Sequence, residues 1–186
     1  MSSAGERGRG AARRPSLASI AWVRAASAGD VAAIGRVMIA GFSDAPSATY
    51  EPDELGADPE TLGRDMLRGA RIEGHLLLLT EVGLTPVAVA RVSPRDLVCS
   101  RHIAQVGVCV DPAWRGRGIG DATLAAAARR GFEEFGIERL ELRVASDDAP
   151  LLHLAAAHGF RCERVERRAL VAAGTAKDLW FCVRDR

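Results

Sequence analysis

The sequence predicts a mixed α/β domain, a twisted and mostly antiparallel sheet with helices on both faces. Three observations carry this. Apolar strands follow one another before the central helix, and strands joined by short turns pair antiparallel. A glycine-rich turn, residues 115–120, links a central apolar strand to a long alanine-rich helix. A further strand, a short helix and a closing hairpin then follow. The chain has 186 residues, of which 48% are hydrophobic and 26% charged, so it suits one globular domain.

The elements follow in order. Residues 1–19 are rich in Gly, Ser and Arg with almost no large apolar side chains, and read as a disordered tail before a domain over 20–186. Residues 20–26 form the first strand. Gly29-Asp30 opens a helix to about residue 40, with Asp30 at the N-cap or in the first turn. Val31, Ile34, Val37 and Met38 recur at helical spacing. Residues 41–58 are irregular, broken by Pro46 and Pro52. Pro59-Glu60 starts a second helix to about residue 71, because proline suits the first helical position and glutamate the positive end. Residues 75–82 and 87–92 make a hairpin around 83–86. The fourth strand, 103–110, stops at Asp111-Pro112, where proline removes a donor. A helix over 121–135, a strand over 137–144 and a helix over 151–158 come next. Strands over 161–169 and 178–184 close the chain around the turn 172–175.

The turn Arg115-Gly116-Arg117-Gly118-Ile119-Gly120 carries the chemistry. Glycine lets a backbone turn tightly and lets a ligand approach it closely. The helix start behind it offers free N–H groups and the positive end of the macrodipole, which together hold phosphate. No Lys-Ser/Thr pair follows the last glycine, and the spacing is not G-x-G-x-x-G, so neither the P-loop nor the dinucleotide fingerprint fits.

Arg115, Gly118 and Gly120, read as Arg-x-x-Gly-x-Gly, resemble the coenzyme A loop of the GCN5-related N-acetyltransferases. The likeness extends to Arg101-His102-Ile103-Ala104-Gln105-Val106-Gly107-Val108-Cys109-Val110-Asp111-Pro112 as the fourth strand, to Ile137-Glu138-Arg139-Leu140-Glu141-Leu142-Arg143-Val144 as the fifth, and to the last helix with its Gly159-Phe160 end. It implies acetyl-CoA as co-substrate and a fourth and fifth strand that run parallel and splay apart. It places Arg115, Gly116, Arg117, Gly118, Ile119, Gly120 and Asp121 on the pyrophosphate, Val108 and Val110 along the pantetheine, and Asp148 at the start of the last helix. That position is an asparagine in many members.

The same resemblance leaves the acid and base open. A tyrosine common four residues before Gly-Phe is Ala155 here, and a glutamate common on strand four is Gln105. An amide takes no proton at neutral pH. His158 shares a helix face with Ala155, whereas His153 points elsewhere. His102, just before strand four, could reach the cleft mouth. Tyr50 lies in the irregular segment that covers the acceptor site in related proteins and could donate to the thiolate. Asp44, Glu51, Asp53 and Glu54 share that segment, an acidic rim that suits a cationic amine.

Composition excludes other classes. Net charge is +1, and the only basic excess is the tail, four arginines against one glutamate, so no dedicated nucleic-acid surface is expected. No apolar run approaches the length that crosses a bilayer. The absence of an export signal places the chain in the cytoplasm with reduced thiols. Cys99, Cys109, Cys162 and Cys182 show no Cys-x-x-Cys spacing, so no metal site is expected. The expected function is acetyl-CoA-dependent N-acetylation of a small-molecule amine, and the alternative is a catalytically weak acyl-CoA-binding or regulatory domain. An edge formed by the final strands could pair two subunits into a homodimer.

Overall fold

The computed structural model describes residues 16–43, 58–72, 74–172 and 174–186. The tail before Ser16, the acidic segment and Tyr50 lie outside the described residues. The elements are β1 Ala21–Ala25, α1 Val31–Ser43, α2 Pro59–Ala70, β2 Leu76–Val82, β3 Thr85–Pro94, β4 Ile103–Val110, α3 Ile119–Glu134, β5 Arg139–Ala145, α4 Ala149–Ala157, β6 Arg161–Ala172 and β7 Thr175–Asp185. They build one seven-stranded sheet in the order β1-β2-β3-β4-β5-β7-β6. Every neighbouring pair is antiparallel except β4–β5, which is parallel. No described helix is long and apolar enough to cross a membrane.

Strand alternation sorts the core onto two faces. Ala104 and Val106 of β4 and Leu140, Leu142 and Val144 of β5 pack with Leu124, Ala127 and Ala128 of α3 and Ala155 of α4. On the other face Leu77, Leu79, Val89 and Cys109 pack with Ile34, Val37 and Met38 of α1 and with Leu62, Met66 and Leu67 of α2.

Several bounds differ from the sequence reading by a few residues, with α3 starting at Ile119, β6 reaching Ala172 and β7 starting at Thr175, and two differences have a contact behind them. α1 runs past Gly41 to Ser43, because this glycine is a contact rather than a stop. A Cβ there would sit 2.2 Å from Cys109 Sγ, so glycine lets α1 lie against β4. Leu17 and Ala18, assigned to the tail, are half-buried. The Leu17 N–H donates to the Arg117 carbonyl at 2.8 Å, and Leu17 joins the cluster of Val87, Ala88 and Ile119. Asp30 stands in the first turn, as expected: it is the third residue of a short 3-10 turn that runs into α1 and is capped by Ser27, whose N–H and Oγ both donate to Asp30 Oδ2 at 2.7 Å. Arg24 clamps the same carboxylate through two bonds of 2.8 Å and reaches Glu81 at 2.8 Å. The guanidinium holds the Asp30 carboxyl well below the usual carboxylate range.

Candidate active site

The loop before α3 keeps its amides unused. Gly116 and Gly118 have φ of 72° and 77°, the left-handed region that favours glycine. Gly118 is the N-cap of α3, and Ala122 N–H to the Gly118 carbonyl, 3.1 Å, is the first bond of the helix. Among the described residues, the N–H groups from Gly116 to Asp121 donate to nothing, so consecutive donors and the helix dipole converge on one spot. Arg117 stacks over Trp114 at 5.3 Å from ring centroid to Cζ, and its Nε is buried without a partner.

β4 and β5 pair only at Ile103–Arg139, Ala104–Leu140 and Gln105–Glu141, then part. The His102 carbonyl accepts from Arg139 on the β5 side, while the Ile103 carbonyl accepts from Arg95 on the β3 side. Alternation therefore turns the N–H and C=O groups of Val106 and Val108 toward β5, across a gap that β5 no longer fills. The result is an open strand edge leading to a cluster of free amides. An extended chain ending in a pyrophosphate fits it: the amides suit the phosphates, and the strand edge suits a chain with amide groups of its own.

The model of the acetyltransferase (GNAT) family matches residues 38–160. The chain belongs to this family. An L-amino acid N-acetyltransferase of Escherichia coli (strain K12) is 28% identical over 83 residues, which span 45% of this chain and 51% of that protein. An acetyltransferase of the GNAT family from Streptococcus pneumoniae superposes with a TM-score of 0.80 at 17% identity, covering 89% of this chain and 99% of that one. A phosphinothricin acetyltransferase from Sinorhizobium meliloti, solved in complex with acetyl-CoA, gives 0.77 at 22% identity and covers 89% and 88%. At these identities the solved structures speak for the fold, which is the GNAT fold with its parallel β4–β5 pair.

Several side chains singled out in this GNAT sequence are placed differently from expectation. Arg115 does not project its donors into the loop: Nε bonds the Val110 carbonyl at 3.1 Å and Nη2 the Gly41 carbonyl at 2.7 Å, tying β4 to the end of α1. The same bond engages the Val110 carbonyl, so the open edge belongs to Val106 and Val108. Ile119 and Gly120 are the first two residues of α3 rather than part of the loop, and Ile119 is buried. The Asp121 carboxylate, in the first turn, meets His158 Nε2 at 2.6 Å. His158 ends α4 and is thus held on the α3 side of the sheet. It also borders a cavity of about 450 Å³ with Arg129, Phe132 and Arg184. His102 sits at the paired end of β4, opposite to the end where the strands part, so it does not reach the cleft mouth. Asp148 is the N-cap of α4, accepting from Leu151 N–H at 3.0 Å. Ala155 is 1% exposed in the core.

Gln105 was singled out in the sequence, but the residues grouped around it were not. Gln105 and Gly107 face away from α3 and are exposed, where α1 and α2 leave the sheet open. Glu141 lies in direct register with Gln105, and Arg95 holds its carboxylate at 2.8 Å. Arg91 pairs with Gly107 across β3–β4, and Ser93 pairs with Gln105. The period-two alternation of both strands could have shown that these side chains share a face. The resemblance implied that β4 and β5 are adjacent, but nothing in the sequence gave their register or the pairing of β3 with β4.

Proposed function

We propose that the chain transfers the acetyl group of acetyl-CoA to the primary amine of a small molecule by direct attack within a ternary complex. The observation that carries this is the continuity between the open edge of Val106 and Val108 and the unused amides of Gly116 to Asp121. The amides hold the pyrophosphate. The strand edge aligns the pantetheine and offers an N–H to the thioester oxygen as charge develops on it. The acceptor approaches from the opposite face of β4, over Gly107, where a Cβ would meet nothing within 4 Å. Holding both reactants there supplies much of the rate.

Gln105 cannot accept the proton of the amine. Its register partner Glu141 can, through one water, because its carboxylate lies on the same face and Arg95 fixes it. For the leaving thiolate, His158 and Tyr50 remain the donors to examine.

Calorimetry with acetyl-CoA, followed by thiol release over a panel of amines, tests the reading. Tight binding with turnover of at least one amine supports it, and Glu141→Gln then lowers kcat roughly 100-fold without changing acetyl-CoA affinity. An unchanged kcat removes Glu141 from the mechanism. Gln105 and the buried Ala155 favour a second reading, an acyl-CoA-binding regulatory domain. Tight binding with no turnover of any amine selects it.

A further inference from the structure

Arg91 is half-buried on β3, between Ala90 and Val92, whose side chains pack toward α3. Its own side chain therefore leaves on the other face, the one that carries Gln105 and Gly107. It reaches beneath the end of α2, where a Cβ on Gly69 would stand 3.4 Å from Arg91 Nη2. Arg24 pairs with Asp30 and Glu81, Arg95 with Glu141 and Arg139 with Asp185, while Arg143 and Arg184 lie over the rings of Phe181 and Phe132. Among the described residues no carboxylate pairs with Arg91, and its Nε is buried with no hydrogen-bond partner. His75 Nδ1 is buried without a partner as well. The two groups sense each other, since burial first and the Arg91 charge second hold the His75 imidazole below its ordinary value.

A buried N–H without an acceptor is costly, and buried polar groups are nearly always satisfied, so the Arg91 Nε–H asks for a partner. α2 offers its negative C-terminal end, a weak compensation for a full charge. An anion arriving with the substrate would complete it. The position fits such a role: Arg91 is the register partner of Gly107, the residue of open space beside the unpaired edge of β4.

We propose that Arg91 receives the carboxylate of the acceptor, and that the acceptor is therefore an α-amino acid. The inference rests on the acetyltransferase reading above. In an α-amino acid the carboxylate and the amine are separated by one carbon, so an anchor on Arg91 brings the amine over Gly107, next to the thioester. The guanidinium fork matches a carboxylate in two parallel bonds, which also fixes the orientation of the amine. A polyamine places a second cation near Arg91 in a half-buried site and is repelled.

The test is steady-state acetylation by the full chain with each standard L-amino acid, then with the amide and the decarboxylated amine of every one that reacts. The wild-type protein should prefer the acid over both analogues by roughly 100-fold or more in kcat/KM. Arg91→Gln should remove that preference while the amide reacts as before and the KM for acetyl-CoA stays unchanged. Arg91→Lys keeps the charge and should retain part of the preference, which separates substrate binding from a packing defect. Equal rates for acid and amide in the wild-type protein, or equal losses for both in Arg91→Gln, overturn the proposal. If no amine is acetylated, the acetyltransferase reading fails on its own account. Calorimetry of the same amino acids and amides with the coenzyme A-loaded protein then decides for Arg91. Binding of an acid but not its amide, lost in Arg91→Gln, upholds it. No binding, or equal binding, overturns it.

Discussion

The loop before α3 and the crossing of α1 over α2 both depend on glycine, for opposite reasons. In the loop, Gly118 provides a left-handed turn beside a row of N–H groups that have no partner among the described residues. At the crossing, a Cβ on Gly63 would lie 1.9 Å from the carbonyl oxygen of Val31, so the two helices touch through bare backbone. The first region keeps hydrogen-bonding capacity in reserve; the second has none of its space left. A ligand site and a packing contact can thus share a residue type and differ in what a side chain would do there. Substitutions in the loop should change binding with little effect on stability, and substitutions at the crossing should do the reverse.

The strongest test replaces Gly118 with aspartate. Its carboxylate would stand at the amides assigned to the pyrophosphate, and its Cβ would lie 3.0 Å from Ser16 Oγ, which can rotate away, and 3.1 Å from Ala18 Cβ, from which the chain before β1 must shift by a few tenths of an ångström. Acetyl-CoA affinity by calorimetry should fall roughly 1,000-fold, about 4 kcal/mol. The midpoint of thermal unfolding should fall only by the few degrees that a left-handed non-glycine residue costs. Unchanged affinity would make the loop scaffolding and dissolve the contrast.

Gly63→Ala probes the other region. The clash is with backbone on both sides, so no rotamer relieves it and α1 must move off α2. About 3 kcal/mol of stability should go, seen as a drop of roughly 6–12 °C in the unfolding midpoint. Acetyl-CoA affinity of the protein that remains folded should stay within about twofold, since the amides and the β4 edge lie outside this contact. A large loss of affinity would mean that α1 and α2 shape the coenzyme site, and the two regions would then not be separable.

The sequence made these regions legible to different degrees. Periodicity and punctuation placed nearly every element, since a strand ended by Asp111-Pro112 and a helix opened by Pro59 are decided within a few residues. The glycine loop was legible for the same reason, because its function resides in consecutive backbone groups. The end of α1 was placed at about residue 40 instead of Ser43, because what requires a glycine at Gly41 is Cys109, distant in the chain. The acceptor face was illegible for a related reason. Gln105 and Glu141, or Arg91 and Gly107, become neighbours only through the strand order and register. Arg91 in particular looks like any alternating polar residue until the absence of a partner is known. His102 erred by direction: its neighbourhood in sequence was right, and it lies at the closed end of the parallel pair.

The smallest effect expected belongs to the anchor that precedes α1, and its pH dependence sharpens the contrast. The Arg24 guanidinium first, then the hydrogen bonds from Ser27, lower the pKa of Asp30 in the folded protein, while the unfolded chain has an ordinary aspartate near about 3.9. A carboxyl with a depressed folded pKa contributes stability that is present above the unfolded value. That stability is lost as pH falls from there toward the folded value, because the unfolded state then binds the proton more readily. Asp30→Asn keeps the size of the side chain and removes the charge. Arg24 is a third exposed and retains Glu81, so the loss at pH 7 should be modest, about 1–2 kcal/mol by denaturant titration. Below pH 4 the stabilities of mutant and wild type should converge, since protonation does to the wild type what the substitution does outright. A difference that persists unchanged to pH 2 would mean that Asp30 acts through the shape of the Ser27 turn rather than through its charge. Acetyl-CoA affinity should be untouched at pH 7, because the network sits at the start of α1, on the packed side of the comparison and away from the open amides.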